Sequence, residues 1–326
     1  MKKKISLTGL FSLIAFYGIV AVSIAQSPAL NDSILRQSFN LAGERLPEVQ
    51  YFIMESKFVN YALDGRRIGY DICKLYLKCA PAKLADKTGD EYTCSKFTLQ
   101  TGDSPAMNIP ALKGWTYVFK TDSDGFDEKG QVLGIEHSKF ENLVDTNGKP
   151  IPPAKSYFIY NTFIDFHSFC NVFAERTICG KGIQDLTAIG QKIVHSSAFS
   201  EPPVNLGSHI AEGSFFKNGE VTLAFKGLSL INEKSCAIVG FDSGESSFKM
   251  IMNPTPEMKI NTVGSSHYKG DIYIDLETKW VQKVIMDEVV VAETILPFPP
   301  NKVNTVTERN TIIQNVNEED FKQEEK

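Results

Sequence analysis

The sequence lacks the short signatures that mark the commonest enzyme chemistries. There is no Gly-x-Ser-x-Gly elbow, so the strand-to-helix turn that presents a hydrolase serine is missing. Gly180-Lys181-Gly182 is not accompanied by the rest of a phosphate-binding loop. The six cysteines contain no Cys-x-x-Cys pair, and the five histidines (137, 167, 195, 209, 267) are scattered without metal spacing. Basic residues are not in excess: 34 Lys and Arg face 39 Asp and Glu, for a formal charge of −5. That balance argues against nucleic acid or an anionic lipid surface as the main partner. Past residue 25 no apolar run is long and clean enough to span a bilayer. The best candidate, Val284 to Leu296, is broken by Asp287, Glu288 and Glu293. Only one Asn-x-Ser/Thr site occurs, at Asn31. That paucity fits bacterial export better than a glycosylated eukaryotic route.

The N-terminal segment carries a signal of its own. Lys2, Lys3 and Lys4 precede an apolar stretch from Ile5 through Ile24, and Ser23 and Ala25 form a small-x-small cleavage site before Gln26. This is the build of a secretory signal peptide; the alternative is an uncleaved anchor. Cleavage between Ala25 and Gln26 removes three Lys and takes the formal charge from −5 to −8. The expected localisation is export, to a periplasm, an outer envelope or the extracellular space. The expected organisation is a signal peptide at 1–25 and a β-rich globular domain at 26–314. That domain reads as one unit, or as two lobes at 26–160 and 200–314 joined by a helical segment. An acidic, solvated and disordered tail at 315–326 follows, with Glu318, Glu319, Asp320, Glu324 and Glu325.

In an oxidising compartment an even set of cysteines reads first as disulfides. Spacing favours Cys79 with Cys94 and Cys170 with Cys179, leaving Cys73 and Cys236. Unpaired buried thiols are the alternative.

Turn dipeptides punctuate short β-rich runs. Tyr51–Leu63 and Arg66–Leu77 flank Asp64-Gly65, which supplies positive φ for a tight hairpin. Further strands are expected at Tyr92–Gln100, Trp115–Lys120, Gln131–His137 and Ser156–Tyr160. Helical periodicity then appears in Phe163–Arg176, and Asp185 opens a second helical pattern that reaches His195. After Pro202-Pro203 the strands resume and continue to Ile313. The predicted fold class is mainly β (α+β): an antiparallel curved sheet or open barrel with a helical pair at about 163–195.

Several groups concentrate reactive side chains. Asp165, His167 and Cys170 form the densest one, although three phenylalanines flank the cysteine and give it a core or disulfide character. Asp122, Asp124, Asp127 and Glu128 gather oxygen ligands, yet the twelve-residue calcium grammar fails and an acidic turn explains them as well. Gly264-Ser265-Ser266-His267 sets hydroxyls beside an imidazole, but neighbours on a strand face opposite ways. The residues therefore assign no catalytic, ligand-binding or metal-ligating position, and no cofactor is called for.

The most informative stretch runs from Tyr268 to Val284. Ile272, Ile274 and Leu276 alternate with Asp271, Tyr273 and Asp275, and a polar turn at Glu277–Lys279 leads into a second long strand. Within it, Gly270-Asp-Ile272-Tyr-Ile274-Asp275-Leu-Glu-Thr278 resembles a hairpin of bacterial envelope lipoprotein carriers of the LolA/LppX-like open-barrel type. The resemblance covers residues 264–293. It implies a curved sheet covered by helices, an apolar cavity for lipid or acyl chains, and no catalytic residues.

The leading functional expectation is a non-enzymatic exported protein that binds a hydrophobic or amphipathic ligand such as a lipid, or an envelope accessory factor. The 22 Phe and 11 Tyr fit that expectation, and they fit core filling equally. The alternatives are a secreted hydrolase assembled from distant residues (Asp165, His167, His267, Asp271, Asp275) and a surface interaction or adhesion module. No particular protein partner is indicated.

Overall fold

The Asp64-Gly65 turn closes the first hairpin as the sequence predicts: Gly65 has a φ of +80° and the Arg66 amide donates to Asp64 Oδ1 at 2.9 Å. It joins β1 (Gln50–Ala62) to β2 (Arg67–Ala80). The computed structural model describes residues 36–86, 89–119, 135, 137–201, 210–255 and 258–326. The expected signal segment with Ala25 and Gln26, Asn31, the Asp122–Glu128 loop and most of the 131–137 strand lie outside them.

The fold is mainly β, one large curved, open antiparallel sheet with two α-helices. Against β2 lies β3 (Asp90–Thr101), followed by β4 (Met107–Asn108) and β5 (Trp115–Phe119), both paired to β3. Helix α1 (Pro153–His167) follows and runs on into a π-helical turn at Ser168–Val172. Then come β6 (Lys192–Val194), β7 (Phe215–Lys217), β8 (Thr222–Ile231) and β9 (Lys234–Asp242). The long strands β10 (Ser246–Thr255), β11 (Met258–Asp275), β12 (Val281–Ile295) and β13 (Lys302–Val316) precede α2 (Glu318–Glu325). The strand order is β4-β3-β2-β1-β13-β12-β11-β9-β8-β6, with β10 on the other half of β11 and β7 beyond it. The last strand is thus seated between the first strand and β12.

Register makes the core simple to describe. One cross-strand row of the inner face reads Ile272, Val284, Ile313, Met54, Leu75, Phe97, and all six are fully buried. Helix α1 closes over them with Ile159, Phe163 and Phe166, and the π turn adds Phe169. Phe166 meets Phe52 and Tyr92 edge to face, while Phe163 stacks on Phe97 at 5.9 Å. Burying each ring contributes about 2–3 kcal/mol, and edge-to-face or offset pairs add about 1 kcal/mol each. The abundant phenylalanine fills the space beneath the helix.

Four expectations are corrected. Ser156–Tyr160, read as a strand from its aromatic and Ile content, lies inside α1. Pro153 occupies the first helical position, where its fixed φ suits the helix and its missing N–H costs nothing. Burial at the helical spacing of 159, 163 and 166 overrides local β propensity. The second helix of the expected pair does not form. Asp185 caps only a 3-10 turn (Ile183–Asp185), Gly190 takes a φ of +90°, and Gln191 Oε1 accepts the Thr187 and Ala188 amides at 2.6 and 2.9 Å. That closed turn sends the chain into β6, which pairs with β8.

The acidic tail is a helix. Asn317 caps it by accepting the Asp320 amide at 2.8 Å, its first turn carries three acids at the positive end of the helix dipole, and Phe321 is buried against Tyr51 and Tyr76. The favoured disulfides are not formed: all six cysteines are unbonded. Cys170 sits buried in the π turn while Cys179 is exposed. Cys79 and Cys94 lie on adjacent strands at diagonal positions, Cys79 opposite Tyr92 and Cys94 opposite Leu77. Burial holds the Cys73 thiol up at about 12 and the Cys236 thiol at about 11, so these are neutral thiols.

Candidate functional site

Helix α1 crosses the strands of the inner face and divides it in two. Its footing is a single cross-strand row: Tyr268, Glu288, Arg309, Phe58, Asp71, Thr101. Lys155, near the helix start, pairs with Asp71, which also accepts the Thr101 hydroxyl at 2.8 Å. Phe158, one turn on, stacks on Phe58 at 4.7 Å. Asp165, near the helix end, pairs with Arg309. Ten residues of helix at 1.5 Å each carry these contacts about 15 Å across the sheet.

Arg309 is shared between two carboxylates. Its Nη1 meets Asp165 and its Nε lies 2.6 Å from Glu288, whose other oxygen accepts the Ser266 hydroxyl at 2.5 Å. The three charged side chains are 8% (Arg309), 10% (Glu288) and 17% (Asp165) exposed. Burial is the largest influence on Asp165 and lifts its carboxyl to about 6; Arg309 opposes the shift and Glu288 adds to it. A cluster of two acids and one guanidinium carries a net single negative charge.

On the side of this belt away from the aromatic core, the inner face changes character. The next rows read Ser266, Val290, Thr307, Asn60, then Phe248, Gly264, Ala292, Thr305, Ala62, then Met250, Thr262, Thr294, Val303. None of these side chains is charged, and all but the buried Ser266 are half-buried. Thr262 and Thr294 pair hydroxyl to hydroxyl at 3.0 Å, and the Thr307 hydroxyl donates to Asn60 at 2.8 Å, so the polar atoms partner one another. Gly264 is required here. A Cβ would come within 2.4 Å of the Val291 carbonyl oxygen and 2.6 Å of the Phe248 ring, which lies across it. Gly270 is covered in the same manner by Phe241.

The residues singled out for hydrolysis are placed apart. His167 is buried on the core side: its Nε2 accepts the Tyr117 hydroxyl at 2.8 Å and its Nδ1 faces Asn171 Oδ1 at 2.9 Å. Asn171 passes the chain on to Glu175 at 2.6 Å, which pairs with Arg45 at 2.5 Å. Neither ring nitrogen is left for Cys170, and burial raises that thiol's pKa. His267 and Asp271 lie on the opposite, outer face, paired with Asp242 at 2.8 Å and Lys226 at 2.5 Å. Asp275 holds a turn: it accepts the Glu277 amide at 2.9 Å and the Thr278 hydroxyl at 2.6 Å. The Asp275–Thr278 spacing is therefore a turn device, with Lys279 at a φ of +65° completing it. Sequence reasoning picked out Asp165 but missed Glu288 and Arg309, whose charges interrupt apolar strands. A charge at an inward position of such a strand is the signal that finds them.

No helix of the described residues is long and apolar enough to cross a membrane, and those residues contain no cluster of metal-ligating side chains. No protein-family model and no curated protein matches the chain. Among solved structures, a protein of unknown function of the DUF3598 family from Nostoc punctiforme aligns at 10% identity over 81% of this chain and 95% of its own. The TM-score is 0.11.

Proposed function

We propose that this chain is an exported, non-enzymatic binding protein whose uncharged inner-face rows beyond α1 receive the apolar part of an amphipathic ligand. One observation carries the reading. The inner face continues for three rows past the ionic belt without a charge and, Ser266 apart, without full burial. Small side chains (Gly264, Ala292, Thr294, Thr305) keep that surface low, while Phe248, Met250 and Val290 make it apolar. Buried apolar area of this kind is worth about 25 cal/mol per Å² to a ligand that covers it. The lipoprotein-carrier resemblance of residues 264–293 supports the same reading. Export rests on the Lys2–Lys4, Ile5–Ile24 and Ala25-Gln26 pattern.

Purification from the exported fraction, followed by solvent extraction and mass spectrometry, tests both parts. The expected result is a mature N-terminus at Gln26 and a co-purifying amphiphile that is lost in Ala292→Trp. An unprocessed N-terminus, or an empty wild-type protein that also binds no fluorescent acyl probe, would overturn the proposal.

A second reading, a surface interaction module, is favoured by the outer face. Val289, Val291 and Ile295 on β12 and Ile312 on β13 stand exposed there.

A further inference from the structure

We infer that the ligand of this inner face is a single-chain amphiphile with a cationic head, which docks against Asp165 and Glu288. The inference rests on the binding reading above and adds the head-group chemistry to it. Among the described residues Arg309 is the only cation of its cluster, and both carboxylates engage it, so it has no free charge to offer an anionic head. The other cation on the belt, Lys155, is neutralised by Asp71. The three rows of the floor bear no charge. The base of the site therefore presents one uncompensated negative charge. Asp165 Oδ2 is taken by Arg309, and Oδ1 has no hydrogen-bond partner among the described residues.

In this partly desolvated setting a charge is felt more strongly than in water. An ammonium there would complete a two-cation, two-carboxylate set, whereas a carboxylate or phosphate would add a second excess charge and be rejected. The surroundings suit a cation as well. Tyr268 shares the row with Glu288, directly opposite it across the β11–β12 pair. Ring faces attract ammonium groups independently of formal charge. The row spacing gives the tail its room: from Glu288 to Thr294, the last inner-face row, the strand rises about 20 Å at 3.4 Å per residue.

The test is calorimetric titration of the mature protein with dodecyltrimethylammonium, dodecanoate and dodecyl maltoside, each below its micelle concentration. The expected result is that the ammonium binds at least tenfold more tightly than the carboxylate, with the neutral maltoside between them. Glu288→Gln and Asp165→Asn should each shrink that preference, and Ala292→Trp should weaken all three probes together. Thermal melts of each variant confirm folding, and any variant that fails to fold is replaced by the salt dependence of wild-type binding, which should weaken the ammonium only. Equal binding of ammonium and carboxylate would overturn the head-group inference and leave the binding reading standing. No binding of any probe, or binding indifferent to Ala292→Trp, would overturn both.

Discussion

Asn171 turns its amide nitrogen to Glu175, so its Oδ1 accepts the His167 Nδ1 proton at 2.9 Å and leaves Nε2 to accept the Tyr117 hydroxyl at 2.8 Å. A core imidazole fixed in this way is neutral. Burial is the main cause of its depressed pKa of about 3, with Arg45 adding to it and Asn171 opposing. His195, buried near Phe173, is lowered to about 4 for the same reason. The unfolded chain takes up these protons first, near pH 6.5. Their stabilisation is therefore complete above pH 6.5 and lost as pH falls toward 3. Asp165 works in the opposite sense: raised to about 6, it contributes stability below about pH 4 that fades as pH rises through 6. Urea midpoints of His167→Gln measured across pH 3–7 should show a shallower acid limb than the parent, by on the order of 4 kcal/mol at the acid end. Parallel curves would show that His167 does not set that limb.

The Asp275 turn is a second test point. Its carboxylate accepts from both the Glu277 amide and the Thr278 hydroxyl. Asp275→Ala leaves those donors unpaired beside buried Trp280 and should cost about 1–3 kcal/mol in chemical denaturation. Thr278→Val, which removes the bond to Asp275 and the longer one accepted from the Trp280 amide at 3.4 Å but leaves the Glu277 amide paired, should cost about 1 kcal/mol. A neutral Asp275→Ala would mean that the β11–β12 turn is held by other contacts.

Phe321 anchors α2 at 2% exposure, between Tyr51 and Tyr76. Phe321→Ala should lower stability by about 3 kcal/mol and release the helix from the sheet, seen as faster amide exchange at residues 318–325. Unchanged exchange would mark the helix as held by its cap and by the Lys322–Glu318 pair alone.

Cysteine accessibility is equally direct. Cys179 is exposed and the other five are buried. The folded, reduced protein should take up one maleimide by mass within minutes and the rest only in denaturant. Rapid uptake of a second adduct would show that one of the buried strands opens.

Strand content was legible where turn chemistry and alternation agreed, as at Asp64-Gly65 and at Ile272–Leu276. It failed where a tertiary surface outvoted local preference. Ser156–Tyr160 has strand-like side chains, but the helical spacing of Ile159, Phe163 and Phe166 reaches the core only as a helix. Alternation alone also left the face open: Ile68, Tyr70 and Ile72 share a face, yet the buried one carries Asp71 and Cys73. The ionic belt was the least legible part. Asp71, Asp165, Glu288 and Arg309 are far apart in the chain and are gathered only by register across four strands and one helix.

The seat of β13 between β1 and β12 has a consequence for how the chain acquires its shape. Among the described residues, β1–β5 form one ladder and β6–β12 another, and their only strand-to-strand link is the final strand. Each ladder holds a bare edge until Lys302–Val316 arrives to pair on both sides. Joining residues some 250 positions apart is a slow, entropy-limited step. Until it occurs, the unpaired rims of β1 and β12 are open to the wrong partner. Assembly therefore completes from the C-terminal end, and a chain cut before Lys302 would be left as two sticky half-sheets.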